Sequence, residues 1–297
     1  MDAMFSTPGT VAHCLDTYQA RCDREGIRSE AIPSILKHLA ARLGTLALTD
    51  VTTQHVEEMI SAMQTQDYKP ATIQSHIAYL GAAMRYARKR GELVSLPHFP
   101  TLKFDNARQG FFEPAELEAI CAYLPAPYAD VARLGYSTGW RLSEILTLHW
   151  SQVDRQAKTI TLRRTKNGHG RALPLVGDRL DIIERRWQAR AHGDQLSEWV
   201  FHAKGRRVDR SYFWHFWNIA RTKAGLPTKL FHDLRRTAAR DMIAAGCDYQ
   251  TAMQVTGHKT MSMFLRYQII DLRGMRKGLE AMDSHRNGNG QHLHDAA

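Results

Sequence analysis

The hydrophobic pattern of this chain is helical almost throughout and changes its period at one place. In the segment KTITLRRTKNGHGRALPL, Ile160 and Leu162 alternate with polar residues, NGHG supplies turn-forming residues, and RALPL resumes an extended run. Alternation with a period of two around a glycine-containing turn predicts a β-hairpin. Because the flanking segments repeat at helical spacing, the sequence predicts a mainly α chain with one small β-hairpin or sheet.

A stretch of irregular composition divides the chain near residue 107. The segment SLPHFPTLKFDNARQGFF contains two prolines and a glycine and has weak periodicity, which favours a linker. We therefore expect a helical domain with its linker in residues 1–107 and a second domain of α+β type in residues 108–285. The polar, glycine-rich tail, residues 286–297, is predicted to be disordered.

The clearest helix of the first domain lies in KPATIQSHIAYLGAAMRYARKRGEL. Its apolar stripe consists of Ile73, Ile77, Leu80, Met84 and Ala87, and Gly91 follows as a stop signal. The end of this helix carries Arg85, Arg88, Lys89 and Arg90. These cations either complement the negative end of the helix dipole or bind a DNA backbone, and the sequence favours neither interpretation.

The chain is strongly basic. Its formal net charge is +10 and its pI is about 9.6. Such an excess of positive charge indicates a polyanionic partner, most often nucleic acid and sometimes an acidic membrane surface. A basic protein with no such partner is the alternative interpretation.

The cysteines and the apolar runs bear on the compartment. Cys14, Cys22, Cys121 and Cys247 are scattered and form no CxxC pair, which favours packed thiols in a reducing compartment. The amino-terminal residues do not form a signal peptide, and no apolar run approaches the roughly 18 residues of a membrane span. The sequence therefore predicts a cytoplasmic protein.

Side chains that can contact a phosphate recur at predicted helix ends and on the hairpin. They are Arg141, Lys166, His232, Arg235, His258 and Tyr267. Each alone has a structural interpretation: Arg141 could pair with Glu144, Lys166 could be an exposed turn residue, and His232 could cap its helix. Their order and spacing together favour a functional site.

Two local predictions accompany this set of residues. Ser137, Thr138 and Gly139 are expected to form the start of the helix that buries Leu142, Ile145 and Leu146, because their residue types suit a helix start. In TKLFHDLRRTAARDMIAAG, the helix is expected to bury Leu234, Ala238 and Met242 while presenting His232 and Arg235 on one face.

Four segments carry a family resemblance. STGWRLSEILTLHW, TKNGHGRALPL, HDLRRTAARDMIAAG, and TGH followed nine residues later by the tyrosine of FLRYQI occur in this order within residues 113–280. They resemble the motifs of the tyrosine recombinases, specifically the phage-integrase branch. The resemblance implies a core-binding domain in residues 1–107 and a catalytic domain in residues 108–285, which form a clamp around DNA. No additional arm-binding domain is expected before the first core-binding helix.

The resemblance implies that Arg141 and Arg235 bind the scissile phosphate. His258, at a position that is histidine or tryptophan across the family, is expected to donate to the same phosphate. Guanidinium groups stay charged and offer bidentate donors, and the sequence contains no good carboxylate cluster for a metal, so we expect no cofactor. Thr256 stands where leucine is commoner in the family, and we expect this difference to change packing alone.

Tyr267 corresponds to the nucleophile of the family, which implies a covalent 3′-phosphotyrosine. Because a tyrosine hydroxyl is mostly protonated at neutral pH, it needs a base, and His232 is the candidate. Lys166 corresponds to the hairpin lysine and suits the general acid that protonates the leaving 5′ oxygen. Glu144 corresponds to an acidic position and is expected to brace the site.

The implied function is site-specific recombination of double-stranded DNA, without metal or ATP, through a Holliday junction in a homotetramer. Four apolar residues after the nucleophile, Leu272, Met275, Leu279 and Met282, either pack on their own domain or dock on a neighbouring subunit. A DNA-bending accessory protein is a candidate partner.

A type IB topoisomerase-like enzyme is the main alternative to this function. A non-catalytic DNA-binding relative and a metal-dependent nuclease built on His232, His258 and the tail histidines are the others.

Overall fold

The computed structural model describes residues 7–27, 29, 31–104, 110–162, 170–265, 276, 278–280 and 282–284. The chain divides into two compact units, Met1–Ala107 and Arg108–Ala297. Within the described ranges, helices predominate and the strands form small antiparallel sheets. The prediction of a mainly α chain with a small β-sheet is therefore confirmed.

The first unit has four α-helices in its described part: α1 (Val11–Arg24), α2 (Ala31–Leu43), α3 (Thr53–Thr65) and α4 (Pro70–Lys89). Thr10 and Thr52 cap α1 and α3 with their hydroxyl groups, and Pro70 occupies the first turn of α4. The predicted apolar stripe of α4 is buried in the core of this unit. Residues 95–104 form neither helix nor strand.

The helices described in the second unit are α5 (Pro114–Cys121), α6 (Ala126–Thr138), α7 (Leu142–Leu146), α8 (Asp178–Gln188), α9 (Arg210–Lys223), α10 (Phe231–Ala244), α11 (Tyr249–Thr256) and α12 (Met261–Leu265). The core contains large aromatic side chains, among them Trp140, Phe213 and Trp217. Helix α10 packs along α6 and against α11. Leu234 and Ala238 are buried as predicted, and Met242 is partly buried.

The predicted hairpin is part of a three-stranded antiparallel sheet. Strands β1 (Val153–Asp154), β2 (Thr159–Leu162) and β3 (Arg171–Pro174) lie in the order β1-β2-β3. Ile160 pairs with Leu173, and both side chains are buried. The predicted turn of the hairpin, with Lys166, lies outside the described residues.

Two short strand pairs were not predicted from the sequence. They are β4 (Ala191–His192) with β5 (Gln195–Leu196), and β6 (His202–Ala203) with β7 (Arg206–Arg207). Two-residue strands are too short for an alternating pattern to be recognisable in the sequence.

The predicted helix start at Ser137–Gly139 is wrong. Ser137 and Thr138 form the last turn of α6, and Gly139 ends it in the left-handed conformation, with φ of +67°. The next helix, α7, begins at Leu142 and is preceded by Arg141, whose N–H donates to the Glu144 carboxylate at 3.0 Å. Serine, threonine and glycine are tolerated at several kinds of helix boundary, so residue types alone did not distinguish an end from a start.

Gly139 also permits a close approach of three helices. A Cβ atom at this position would lie 2.9 Å from Thr256 Cγ2 and 3.1 Å from Ala238 Cβ. The end of α6 is therefore packed directly against α10 and the end of α11.

We expect Gly139→Ala to destabilise the second unit more than Gly225→Ala. Both glycines have left-handed φ, +67° and +73°, so either alanine costs roughly 1–2 kcal/mol in backbone conformation. Only the methyl at position 139 would also meet Thr256 and Ala238, because nothing lies within 4 Å of a Cβ at position 225.

Urea unfolding followed by tryptophan fluorescence reports on this unit, since all six tryptophans lie within it. A lower free energy of unfolding for Gly139→Ala than for Gly225→Ala supports the close approach. Equal losses would contradict it.

Candidate active site

Arg235 lies at the centre of the site. It is only 3% exposed, and its Nη1 donates to the carbonyl oxygen of Gly139 at 2.7 Å and to that of Thr256. Both carbonyl groups lie at the carboxyl-terminal ends of helices, where backbone oxygens lack helical partners and the helix dipole is negative. Two helix ends thus stabilise and orient a buried guanidinium.

His258 follows Gly257, which ends α11 with φ of +73°. The ring is 7% exposed; its Nε2 accepts a hydrogen bond from Arg235 Nε at 3.1 Å, and its Nδ1 lies 2.7 Å from Thr256 Oγ1. Phe264 packs edge-on against it, with ring centroids 5.3 Å apart. Burial, reinforced by the charges of Arg235 and Arg141, lowers the pKa of His258 to about 3. The ring is therefore neutral at physiological pH.

Glu144 connects Arg141 to the hairpin. Its Oε1 lies 3.1 Å from Arg141 Nη1, and its Oε2 lies 2.8 Å from Nη2 of Arg171 on β3. Burial alone would raise the pKa of Glu144, but Arg171 and the backbone N–H of Arg141 outweigh burial and hold this pKa below its usual value. The ion pair of Arg141 with Glu144, considered above as a structural interpretation, is present, and it extends to a second arginine.

Arg171 was not predicted as a site residue. Its guanidinium lies 5.0 Å from the centre of the Trp140 ring and fills the space that a Cβ atom on Gly257 would need. The alternation in RALPL carried a signal that could have identified it. Arg171 shares a strand face with the buried Leu173, and a charge on an inward face must find a partner.

His232 lies in the first turn of α10. Its side chain is exposed at the surface of the unit, yet partial loss of solvation and the charges of Arg235 and Arg141 lower its pKa, despite the opposing effect of Asp233. The imidazole is therefore neutral near pH 7, and a neutral, accessible imidazole can accept a proton.

The structure brings most of the predicted catalytic residues together. Arg141, Glu144, His232, Arg235 and His258 are linked by the hydrogen bonds, ion pairs and electrostatic interactions described above. Lys166 and Tyr267 lie outside the described residues, as do Leu272 and Met275. Leu279 and Met282 are described, and their side chains are 58% and 41% exposed.

The predicted DNA-binding cations lie in the first unit. Arg85, Arg88, Lys89 and Arg90 are exposed at the end of α4. Arg90 forms an ion pair with Glu92 at 2.6 Å. Arg21 and Arg24 of α1 lie beside these cations, because both contact Tyr86 of α4. Arg21 lies over the Tyr86 ring, and Arg24 donates to the Tyr86 hydroxyl at 3.2 Å.

The described part of the chain holds no group of three or more His, Cys, Asp or Glu side chains placed to bind a metal ion. No helix in that part has the length and apolar character that crossing a membrane requires. Three of the cysteines are buried, and burial raises the pKa of both Cys14 and Cys121 to about 12. These two thiols are therefore protonated at neutral pH.

We expect His258 to make folding stability depend on pH. Its pKa is lowered from 6.5 to about 3 in the folded chain, so between these values the unfolded chain binds a proton that the folded chain does not. The free energy of unfolding should fall as the pH drops from 6.5 towards 3, by at most about 1.4 kcal/mol per pH unit for this group.

His258→Gln cannot titrate, and its stability should therefore fall less steeply over the same range. Urea unfolding of both proteins between about pH 7 and about pH 4 measures the difference. Parallel curves would contradict a buried, neutral histidine.

Comparison with known proteins gives these residues a family context. Residues 111–271 match the phage integrase family. The chain is 26% identical to the integrase of Salmonella phage P22 over 215 residues, which cover 66% of this chain and 53% of that integrase. It is 24% identical to the tyrosine recombinase XerC of Roseiflexus sp. (strain RS-1) over 231 residues, 72% of each chain.

Solved structures share this fold. The chain superposes on a lambda integrase(75–356) dimer bound to a COC′ core site with a TM-score of 0.74. The two chains are 20% identical, and the match covers 89% of this chain and 97% of that one. A lambda integrase tetramer bound to a Holliday junction gives 0.73, at 20% identity, over 88% and 77% of the two chains. At this identity the structures show a common fold. The family match extends over more than half of the chain and contains every catalytic residue predicted above, so the chain belongs to the phage integrase family.

Proposed function

We propose that this protein is a site-specific DNA recombinase that cleaves and rejoins strands through a covalent 3′-phosphotyrosyl intermediate. The observation that carries the proposal is the buried Arg235, held beside His258 and within the electrostatic reach of His232 and Arg141. The family match also spans the positions of Lys166 and Tyr267. In this proposal, Tyr267 is the nucleophile, Lys166 is the acid, and the arginines described above bind the phosphate.

The first step is binding of the scissile phosphate by Arg141 and Arg235. Negative charge accumulates on the non-bridging oxygens as the phosphate is attacked, and fixed guanidinium groups stabilise it without reorganising. The carbonyl groups of Gly139 and Thr256 fix the direction of the Arg235 guanidinium. Glu144 does the same for Arg141. With these groups holding the charge, the proposed reaction needs no metal ion.

The second step is attack by the Tyr267 hydroxyl on the phosphorus atom. His232, neutral near pH 7 because its pKa is lowered, accepts the hydroxyl proton. The bond to the 5′ oxygen breaks, and Lys166 protonates that oxygen as it leaves. The phosphotyrosyl bond conserves the energy of the phosphodiester, so attack by a 5′ hydroxyl of another strand rejoins the DNA without ATP.

The first unit contributes phosphate contacts in this proposal. The cations at the end of α4, with Arg21 and Arg24 beside them, outnumber the paired carboxylates Glu25 and Glu92 and form a surface suited to a DNA backbone. We propose that the two units bind one duplex as a clamp, with residues 1–107 as the core-binding domain. Acting on DNA would place the protein in the cytoplasm, as its cysteine pattern predicts.

The proposal includes a homotetramer that passes through a Holliday junction. Leu279 and Met282 are exposed rather than packed, which favours docking of this segment on a neighbouring subunit. Lambda integrase, which shares the fold, forms a tetramer on a Holliday junction. A DNA-bending accessory protein is a further proposed partner.

A type IB topoisomerase-like enzyme would use similar chemistry on DNA of any sequence. The similarity to the P22 integrase and to XerC, a tyrosine recombinase, favours site-specific recombination instead. The two activities differ in their dependence on DNA sequence, and the same experiment can therefore separate them.

We expect the protein to form a covalent adduct with nicked duplexes that contain its site. Duplexes tiled across the DNA that flanks the gene are incubated with protein in EDTA without ATP, and adducts that survive SDS are counted. Wild type should react with a few neighbouring tiles, and Tyr267→Phe with none, since phenylalanine has no hydroxyl. Tyr212→Phe is the matched control, because Tyr212 is an exposed tyrosine of the same unit.

Each alternative gives a different result. An adduct with Tyr267→Phe would show that another residue is the nucleophile. Adducts with every tile, together with relaxation of a supercoiled plasmid, would favour the topoisomerase. Specific binding without any adduct would indicate a non-catalytic relative, and loss of the adduct in EDTA would indicate a metal-dependent reaction.

A further inference from the structure

The Thr256 hydroxyl lies between a helix carbonyl and the ring of His258. Thr256 is the last residue of α11 and is fully buried. Its Oγ1 lies 2.7 Å from the carbonyl oxygen of Ala252 and 2.7 Å from His258 Nδ1. A hydroxyl has one hydrogen, so it can donate to only one of these two atoms and must accept from any other partner.

The hydrogen bond on the opposite side of the His258 ring determines which of these two atoms receives the threonine hydrogen. Arg235 Nε donates to His258 Nε2 at 3.1 Å, and a guanidinium can only donate. Nε2 must therefore offer a lone pair, and in a neutral imidazole the hydrogen is then on Nδ1. That hydrogen donates to Thr256 Oγ1, and the threonine hydrogen goes to Ala252. This single assignment satisfies all three hydrogen bonds.

A bound phosphodiester requires the opposite arrangement. Its non-bridging oxygens only accept hydrogen bonds, so a neutral His258 can contact them through Nε2 only if Nε2 carries the hydrogen. Nδ1 is then an acceptor and needs a donor. Thr256 can supply one by turning its hydroxyl from Ala252 to the ring.

We propose that Thr256 is a positioning residue that, together with Arg235, holds His258 in its Nδ1–H tautomer without DNA and supports its Nε2–H tautomer on the scissile phosphate. The exchange leaves the ring neutral, because one proton passes from Nδ1 to water while another passes from water to Nε2. This inference rests on the proposed function for its DNA-bound half only. The half that concerns the free protein rests on the hydrogen bonds above.

The side chain at this position also packs, and the test must separate the two roles. Thr256 Cγ2 contributes to the close approach at Gly139, and the Thr256 carbonyl accepts from Arg235. Valine keeps both of these features and removes the hydroxyl, whereas serine keeps the hydroxyl and removes the methyl group. The sequence interpretation of Thr256 as a packing difference included only the first role.

The tautomer can be measured directly by two-bond ¹H–¹⁵N correlation spectra of protein labelled with ¹⁵N-histidine. Protonated and unprotonated ring nitrogens give separate signals, and the spectrum of His258→Gln identifies the His258 signals by their absence. Free wild type should show His258 with its hydrogen on Nδ1. Thr256→Ser should retain this tautomer. In Thr256→Val the Nδ1 hydrogen loses its acceptor while Arg235 still donates to Nε2, so the preference should weaken and part of the protein should carry the hydrogen on Nε2.

A matched control removes a hydroxyl elsewhere. Thr222 in α9 makes the same kind of bond to the carbonyl oxygen four residues earlier, at 2.9 Å, as Thr256 does. Thr222→Val should leave the His258 signals unchanged. An Nε2–H tautomer in free wild type, or identical signals in wild type and Thr256→Val, would overturn the proposal.

Measurements with bound DNA test the second part of the proposal, the Nε2–H tautomer of His258 on the phosphate. With a nicked duplex bound to Tyr267→Phe protein, the His258 hydrogen should be on Nε2. In the otherwise native chain, Thr256→Val should slow adduct formation about fivefold to tenfold, the scale of one neutral hydrogen bond, and Thr256→Ser should restore most of the rate. Adduct formation with no change of tautomer would overturn this inference and leave the proposed function intact. Absence of any adduct would overturn the proposed function, whereas the free-protein result would still stand.

Discussion

A guanidinium buried among helices keeps its charge at low cost only where oxygen atoms surround it. Arg235 meets this requirement at the carbonyl ends of α6 and α11. Both helices end in a glycine with left-handed φ, Gly139 and Gly257, which turns the chain away and leaves the last carbonyl groups directed at the arginine. The same contact brings α10 against both helix ends. The fold of this region and the position of its central cation therefore have one cause.

The positive charge gathered there determines the state of the two histidines. Burial and the neighbouring arginines lower the pKa of His258 and of His232, so both rings are neutral near pH 7. An exposed neutral ring can serve as a base, and a buried neutral ring can serve as a directional hydrogen-bond partner. Glu144 is an ionised carboxylate beside these groups, and it is shared between Arg141 and Arg171. One carboxylate thereby links Arg141, the phosphate-binding candidate at the start of α7, to the hairpin.

Much of this region could be predicted from the sequence, because helical periodicity, one change of period and the spacing of polar residues are local signals. They predicted a mainly helical chain, the buried stripe of α4, the strands β2 and β3, and the polar residues that the structure brings together. The end of α6 was misassigned because its residue types also suit a helix start, and Arg171 was missed because its partner Glu144 is distant in sequence. The hydrogen bond of Thr256 to His258 depends on the turn at Gly257, which fixes the direction of both side chains.

The central claim is that Arg235 stabilises the charge of the scissile phosphate, and a neutral substrate tests it most directly. Adduct formation by wild type and Arg235→Ala is compared on a nicked duplex with a normal scissile phosphate and on one with a methylphosphonate at that position. Any folding defect of the variant affects both substrates equally and cancels in the ratio. If Arg235 holds the charge, the variant should lose on the order of a hundredfold in rate on the phosphate and far less on the methylphosphonate. An equal loss on the two substrates would contradict the account.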